Sequence, residues 1–234
     1  MKIITNENLI KRNKTIGRVA TITSLAILAG GLLIAFNNQQ DVQSLRLSFG
    51  ALVIGFILSQ IGIYYGVRFS RKPTPYEALN LCLKGLDDKY SLYHYSTPVP
   101  HLLVGPAGIW VLGVFFQPGT ITYNENRKKY HQEGRSMYNK FLAQEGIGRP
   151  DIEVGSYRED LGKFLKKLLS SSNGIDVNAA VIFTSEKAKV QAQNAPFPTM
   201  HSEKLKDFIR KQAKEAPASE ELINKIKTSL AERK

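Results

Sequence analysis

Carboxylates are the side chains of this sequence best suited to chemistry, because two of them can hold a divalent metal ion. Together with a neighbouring lysine, the metal ion can stabilise the charge on a phosphate. Four acids fall between positions 151 and 160, near the start of a predicted helix over 152–169, where negative charge is favourable without any catalytic role. A metal site and ordinary solvated helix charge therefore both stay open. The candidates are Glu77, Asp151, Glu153, Glu159, Asp160 and Lys163.

Clusters of basic residues offer a second chemistry, the binding of nucleic acid or another polyanion. The formal net charge is +12, but residues 69–234 hold 25 Lys and Arg against 18 acids, so this part of the chain is only moderately basic. Each cluster also has acids close by in sequence, which is typical of a solvated surface of mixed charge. The clusters are Arg127 to Lys129, Lys163 with Lys166 and Lys167, and Lys204 to Lys211.

The single cysteine and the four histidines do not indicate a catalytic site. Cys82 is the single cysteine, which excludes an internal disulfide and a cysteine-based metal site, and its apolar neighbours predict a buried position. We expect His101 to pack or hydrogen-bond within a sheet. The four histidines have no metal-ligand spacing: His94, His101, His131 and His201.

Two uncharged apolar runs, 19–36 and 47–67, are long enough to cross a hydrocarbon core of about 30 Å as helices that rise about 1.5 Å per residue. A buried core helix is rarely apolar on every face over this length, and the second run follows too closely for the first to be a cleaved signal peptide. Neither run has an ionisable residue in its interior, which an ion or proton pathway normally needs. We therefore expect a transmembrane hairpin that acts as an anchor.

The charges around the two runs predict the orientation of the hairpin. The loop between the runs is polar and holds one basic residue, Arg46, whereas the outer flanks hold seven. The positive-inside rule then places both termini in the cytoplasm and the loop outside, in a cell-membrane protein with two spans. We expect the lipid bilayer to be a partner, including anionic headgroups near the basic flanks. The flanking residues are Lys11, Arg12, Lys14, Arg18, Arg68, Arg71 and Lys72.

The rest of the chain alternates predicted helices and strands, as a small α/β domain with a central mixed sheet does. A helix over 205–212 is expected to be capped by Ser202. A short helix over Ser136–Gln144 is a further prediction, in a charged and ambiguous stretch from 124 to 150. The other predicted helices are 76–86, 152–169 and one after Ser219, and the predicted strands are 90–95, 101–104, 109–116, 120–123 and 177–183.

These predictions divide the chain into five parts. The two prolines at 73 and 75 argue against one continuous helix from the hairpin into the domain. We expect a basic cytoplasmic N-terminus over 1–18, the hairpin over 19–67, a linker over 68–75, an α/β domain over 76–212 and a charged C-terminal helix over 213–234.

Residues 99–121 carry a recognisable pattern: a histidine, an apolar triplet, Gly-Pro, a turn glycine and an apolar strand with a glycine shortly after it. This pattern resembles the nuclease-related domain family, a branch of the PD-(D/E)XK nuclease-like superfamily. The resemblance covers roughly 76–212 and implies a restriction-endonuclease-like fold. The matching residues are His101, Gly105, Pro106, Gly108 and Gly119, with Glu77 in the family's first helix, 180–185 in its late strand and 205–209 in its closing helix.

The sequence departs from the family pattern at the positions that carry the family's chemistry. The family aspartate, glutamate and lysine correspond here to Pro100, Gly113 and Phe115. Such nucleases hold a divalent metal between carboxylates, and the metal and lysine activate water and stabilise phosphate charge. The replacements can supply none of this, and one carboxylate at Glu77 is a poor metal site.

The resemblance and its departures together imply a membrane-anchored, catalytically inactive nuclease-like domain. It would act as a binding or scaffold module at the cytoplasmic membrane face, with protein partners and no cofactor. One alternative is a metal-dependent nuclease with a migrated active site, which would need Mg²⁺ or Mn²⁺. The other is a nucleic-acid binder without cleavage, for which Lys163, Lys166 and Lys167 are the candidate contacts.

Overall fold

The computed structural model of the chain describes residues 1–37, 41–134, 146–170 and 175–232, and the predicted helix over Ser136–Gln144 lies outside them. The chain forms two compact units. One unit is Glu7–Thr74, and the other joins Met1–Asn6 to Pro75–Lys234. The first six residues therefore belong with the α/β unit, although the hairpin separates them from the rest of that unit in sequence.

The hairpin unit consists of two long helices, α1 (Glu7–Asn37) and α2 (Val42–Phe69), which contain the two predicted spans and extend beyond them. The polar flanks continue the helices because nothing in them stops a helix, and Asp41 caps α2 by accepting the N–H groups of Gln43 and Ser44. In the most apolar window of each helix only 17% of residues are buried. Length, apolar composition and exposure make both helices suited to crossing a membrane.

The α/β unit is built on a mixed sheet, as predicted. Its six strands are β1 (Lys2–Thr5), β2 (Ser91–His94), β3 (His101–Gly105), β4 (Gly108–Phe115), β7 (Asn178–Phe183) and β9 (Thr199–His201). They lie in the order β1-β2-β3-β4-β7-β9. Strands β2, β3 and β4 form an antiparallel meander, whereas β1 pairs parallel to β2, and β7 and β9 continue parallel to β4.

Strand β1 lies within residues 1–18, which were predicted as a basic N-terminus, and the strand joins the central sheet. Its register places Ile4 beside Tyr93, and Ile4 is 7% exposed whereas Ile3 is 46% exposed. This alternation is that of an edge strand with one face on the core. A four-residue strand whose partner lies about ninety positions later leaves only a weak local signal.

Helices cover both faces of the sheet, each over its own apolar cluster. One face packs on α3 (Pro75–Cys82) and α5 (Ser202–Glu215). The other face packs on α4 (Pro150–Leu168), α6 (Glu220–Ala231) and part of a small sheet. That small sheet has the order β6-β5-β8 and consists of β5 (Gly119–Asn124), β6 (Lys129–Glu133) and β8 (Ala188–Gln191).

Three boundaries differ from the predictions. Helix α3 ends at Cys82 because Gly85 turns the chain with φ of 89°, although the predicted helix ran to 86. Helix α5 begins at Ser202, so its N-cap is His201, whose ring nitrogen accepts the Glu203 N–H, and not Ser202. Helix α6 buries Ile223 and Ile226 in the core, so the α/β unit extends past the predicted boundary at 212.

Candidate functional site at one end of the central sheet

The three positions that carry chemistry in the nuclease-related pattern lie at one end of the central sheet. Pro100 directly precedes β3, and Gly113 and Phe115 lie in the second half of β4. Leu102 pairs with Val111, so extending this antiparallel register by two residues brings Pro100 to the level of Gly113. The fold thus brings the replaced positions together, and what surrounds them determines what this end can do.

Val154 of α4 occupies the space next to Gly113. A Cβ atom added at position 113 would lie less than 3.0 Å from Val154 Cγ2, closer than real Cβ contacts. It would also lie 3.1 Å from Phe115 Cε2. Val154 is fully buried in the core cluster on that face of the sheet. A side chain at position 113 therefore conflicts with the present position of the Val154 side chain.

Phe115 and Pro100 are used structurally. The Phe115 ring packs against Phe183 of β7, with ring centroids 5.8 Å apart. The Pro100 carbonyl accepts the N–H of Tyr95 at 2.9 Å, which closes the turn between β2 and β3. Tyr95 adopts φ of 54°, a left-handed conformation that is uncommon outside glycine.

A buried pair of histidines lies at the same end. His94 Nδ1 and His101 Nδ1 are 2.9 Å apart, and His94 Nε2 is 3.0 Å from Asn80 Oδ1 of α3. The amide oxygen accepts, so His94 Nε2 carries the proton and His94 Nδ1 is an acceptor when the ring is neutral. His101 Nδ1–H is then the donor between the rings. The pair forms a directed chain of hydrogen bonds from His101 through His94 to Asn80.

Burial keeps both imidazoles neutral. His94 is 0% exposed, and burial lowers its pKa to about 4. Burial, with His94 nearby, lowers the pKa of His101 well below its ordinary value. The ring centroid of Tyr76 lies 5.9 Å from that of His94, and the ring centroid of Tyr95 lies 5.1 Å from that of His101. The expectation that His101 is bonded within the sheet is confirmed, but neither histidine reaches solvent to serve as an acid or base.

Two segments of the α/β unit that flank the hairpin in sequence also contact this end of the sheet. Asn6 donates its N–H to the His94 carbonyl at 3.0 Å, and Thr5 is the register partner of His94. Pro75, where the chain returns from the hairpin, begins the helix that supplies Tyr76 and Asn80. The histidine pair is therefore bonded to segments on both sides of the hairpin in sequence. No sequence signal marks His94 or Asn80, since their bonds depend on the turn after β2.

The carboxylates considered for a migrated metal site have other roles. Asp151 forms an ion pair with Arg149, 2.6 Å from Nη2, and Glu153 accepts the Tyr157 hydroxyl at 2.8 Å. Glu77 is half-buried in the first turn of α3. Within the described ranges, no three His, Cys, Asp or Glu side chains lie close enough to hold a metal ion. The remaining candidates are exposed on α4: Glu159, Asp160 and Lys163.

The lysines proposed for nucleic-acid contact form one exposed face of α4. Lys163, Lys166 and Lys167 are spaced by three and four residues, opposite the buried Leu161 and Leu165. Glu159 and Asp160 lie one turn earlier on the same face, by the same spacing rule. The face is therefore cationic toward the C-terminal end of α4 and acidic one turn before.

A cavity of about 340 Å³ lies beside β1 and β2, and its lining includes Lys2, Ser91 and Ser96. Its wall combines apolar side chains with Lys2 and Lys227, and Phe164 and Leu230 close its helix side. Its size is at the lower end of the range for small-molecule sites. None of Pro100, Gly113 and Phe115 is among the residues that line this cavity.

A scan of the chain against protein-family models, and searches of characterised proteins and of solved structures, gave no significant match. The nuclease-related resemblance therefore remains a prediction that rests on the motif around His101.

Proposed function

We propose that the chain is a membrane-anchored binding or scaffold module, with a nuclease-like α/β domain that has lost its chemistry, at the cytoplasmic face of the cell membrane. The observation that carries this proposal is the packing of Val154 against Gly113. In the family pattern this position holds the metal-binding glutamate, and here a fully buried methyl group occupies its space. A carboxylate at position 113 would require Val154 to be replaced or displaced.

The strand arrangement also favours the proposal. The resemblance implies an aspartate and a Glu-x-Lys pair at one end of adjacent strands, and the position of Pro100, Gly113 and Phe115 at one end of β3 and β4 supports this. The surrounding groups are aromatic rings and two neutral, buried histidines. None of these supplies the negative charge that holds Mg²⁺ or Mn²⁺. These surroundings favour action through binding over metal-dependent chemistry at this end of the sheet.

The pairing of β1 with β2 supports a hairpin with both flanks on one side of the membrane. These strands come from before α1 and after α2, yet they exchange backbone hydrogen bonds in one sheet. A sheet cannot be divided by a bilayer, since unpaired backbone groups in hydrocarbon are costly. The positive-inside rule assigns this side to the cytoplasm, because seven of the Lys and Arg residues that flank the spans lie there.

The test uses the full chain in phosphatidylcholine nanodiscs, because a fragment that starts after the hairpin lacks β1. Labelled single- and double-stranded DNA and RNA are incubated with and without Mg²⁺ or Mn²⁺, and both binding and cleavage are followed. We expect no metal-dependent cleavage by the wild-type chain. Cleavage that Glu77→Gln abolishes, with the fold retained, would contradict the proposal and indicate a migrated active site.

The same titration tests the alternative of a nucleic-acid binder without cleavage, which the lysine face of α4 favours. That alternative predicts binding that weakens steeply with salt. It also predicts loss of binding when Lys163, Lys166 and Lys167 are changed to Gln. The matched control changes three exposed lysines elsewhere: Lys187, Lys189 and Lys225. Equal loss in both variants would indicate non-specific attraction to the net positive charge.

A further inference from the structure

The cavity beside β1 and β2 lies on the sheet face that α4 and α6 cover. Ile4 of β1 and Tyr93 of β2 are register partners, and both belong to the apolar cluster of that face. Lys2 and Ser91 are register partners two residues earlier, so the alternation of side chains along a strand puts them on the same face. Helices α4 and α6 supply the opposite wall, so the whole cavity lies within the α/β unit.

The inner lining of the cavity combines apolar surface with two hydroxyl groups. Ile4, Tyr93 and Leu230 are buried residues of the lining, and Phe164 is half-buried. Surface of this kind favours a ring or a short alkyl chain. Burial raises the pKa of Tyr93, against a smaller opposing effect of the Ser91 side chain, so the phenol stays protonated. Both hydroxyl groups can donate a hydrogen bond to a bound polar atom.

Two lysines bring positive charge to the outer lining of the cavity. Lys2 is exposed, and Lys227 is half-buried and donates a hydrogen bond to the Lys89 carbonyl oxygen. An ammonium group has three N–H donors, so this single bond leaves Lys227 able to bind an anion as well. Asp88 also lines the cavity, but its side chain is fully exposed and forms an ion pair with the Met1 amino group at 2.9 Å. Solvent and that ion pair weaken its repulsion of an anion.

The end of α6 limits the charge that a ligand can carry. Leu230 and Ala231 are the last residues of this helix, and both line the cavity. The C-terminus of a helix carries a partial negative charge, which disfavours anions nearby. Two lysines offset this effect for one negative charge, whereas a phosphate monoester carries about two. A carboxylate on a small ring or short chain therefore fits the lining better than a phosphate does.

We propose that this cavity binds a small amphipathic monocarboxylate, with its ring or alkyl chain against Ile4, Phe164 and Leu230 and its carboxylate between Lys2 and Lys227. A volume of about 340 Å³ limits such a ligand to the size of a small metabolite. The inference goes beyond the proposed scaffold role and does not depend on it, because no residue of the hairpin unit lines the cavity. The α/β unit is then a receptor for a small organic acid.

The test uses the full chain in phosphatidylcholine nanodiscs and fluorine NMR of three probes: para-fluorinated benzoate, phenylacetate and phenylpropionate. Empty nanodiscs measure how far each probe enters lipid. We expect at least one probe to bind with a dissociation constant of roughly 0.1–1 mM, as ligands of about a dozen non-hydrogen atoms do. The primary amide of that probe lacks the charge and should bind roughly threefold to tenfold more weakly.

Charge variants test the role of the two lysines. Lys2→Gln/Lys227→Gln should weaken carboxylate binding by roughly threefold to tenfold and leave amide binding unchanged. Each lysine is also changed singly, and a variant that loses its fold is recognised because it loses the amide too. The matched control Lys187→Gln/Lys189→Gln removes the same charge at exposed positions outside the lining and should change neither affinity. Equal weakening by the two lysine pairs would overturn the site.

A bulky side chain tests the location. Ala231 is an exposed residue of the lining, and Ala231→Trp should weaken the binding of both carboxylate and amide by at least about tenfold. Ala216→Trp, at an exposed position outside the lining, should leave both unchanged. Binding that survives Ala231→Trp would overturn the proposal. The same holds if none of the three acids, at up to about 10 mM, binds the wild-type chain beyond the level of empty nanodiscs.

Discussion

The contact between Gly113 and Val154 makes a prediction that follows directly from the packing of the candidate site. A methyl group added by Gly113→Ala would lie less than 3.0 Å from Val154 Cγ2, where carbon atoms normally stay about 3.5–4.0 Å apart. Overpacking of this kind costs roughly 1–3 kcal/mol. We expect Gly113→Ala to lower the free energy of unfolding by that amount.

Val154→Ala tests the same contact from the other side. Val154 is 0% exposed, so removing its two methyl groups should cost about 1–3 kcal/mol through lost burial and a small cavity. The double variant replaces one methyl group by another in nearly the same space. Its loss of stability should therefore be smaller than the sum of the two single losses by roughly 1–2 kcal/mol, within the range for residues in contact.

Urea unfolding of the full chain in micelles provides the assay. The one tryptophan of the sequence, Trp110, is buried in β4 three residues before Gly113, so its fluorescence reports on this unit. The control is Gly162→Ala on α4, where an added Cβ would meet nothing within 4 Å and should stabilise the helix by about 0.5–1 kcal/mol. Additive losses in the double variant, or a Gly113→Ala variant as stable as wild type, would refute the reasoning.

Three further predictions concern other parts of the α/β unit. The pKa of His94 is about 4 in the folded state and about 6.5 in the unfolded state, so the unfolded state binds more protons between these pH values and acid lowers the stability. Urea unfolding should show that this residue costs about 3 kcal/mol of stability as the pH drops from 7 to 4. The variant His94→Gln should lack that part of the pH dependence. Ile4→Asp should destabilise the sheet by more than about 2 kcal/mol in the same assay, because Ile4 is buried. The control Ile3→Asp, at an exposed position, should cost less than about 1 kcal/mol. Equal losses in the two variants would contradict the pairing of β1 with β2. Burial raises the pKa of the Cys82 thiol to about 11, so iodoacetamide at pH 8 should alkylate the native chain at least tenfold more slowly than the urea-unfolded chain, as mass spectrometry would show.

Elements with strong local patterns could be predicted from the sequence. The two candidate spans are long uncharged runs in the sequence, and the structure contains both runs within α1 and α2. The meander of β2, β3 and β4 follows from short apolar runs separated by turn residues, and Gly108 takes the positive φ that its turn requires. These features depend on neighbours in sequence, which is why sequence reasoning identifies them.

Features that depend on distant partners could not be predicted in the same way. The four residues of β1 are a strand only because β2 offers an edge with a buried face. Gly113 is recognisable as a departure from the pattern that the sequence resembles, but its packing against Val154 joins residues 41 positions apart. The hydrogen bond between His94 and His101 likewise needs the turn that Tyr95 makes with the Pro100 carbonyl.

The central claim, that the strand end around Gly113 holds no metal and does no chemistry, is tested most directly by a Mn²⁺ titration. The full chain in nanodiscs of pure phosphatidylcholine, which removes anionic lipid as a competing ligand, is titrated with Mn²⁺ while electron paramagnetic resonance measures the free ion. We predict that wild type and Glu77→Gln leave the same fraction of Mn²⁺ free at micromolar to submillimolar concentrations. One Mn²⁺ bound per wild-type chain, and lost in Glu77→Gln, would contradict the account.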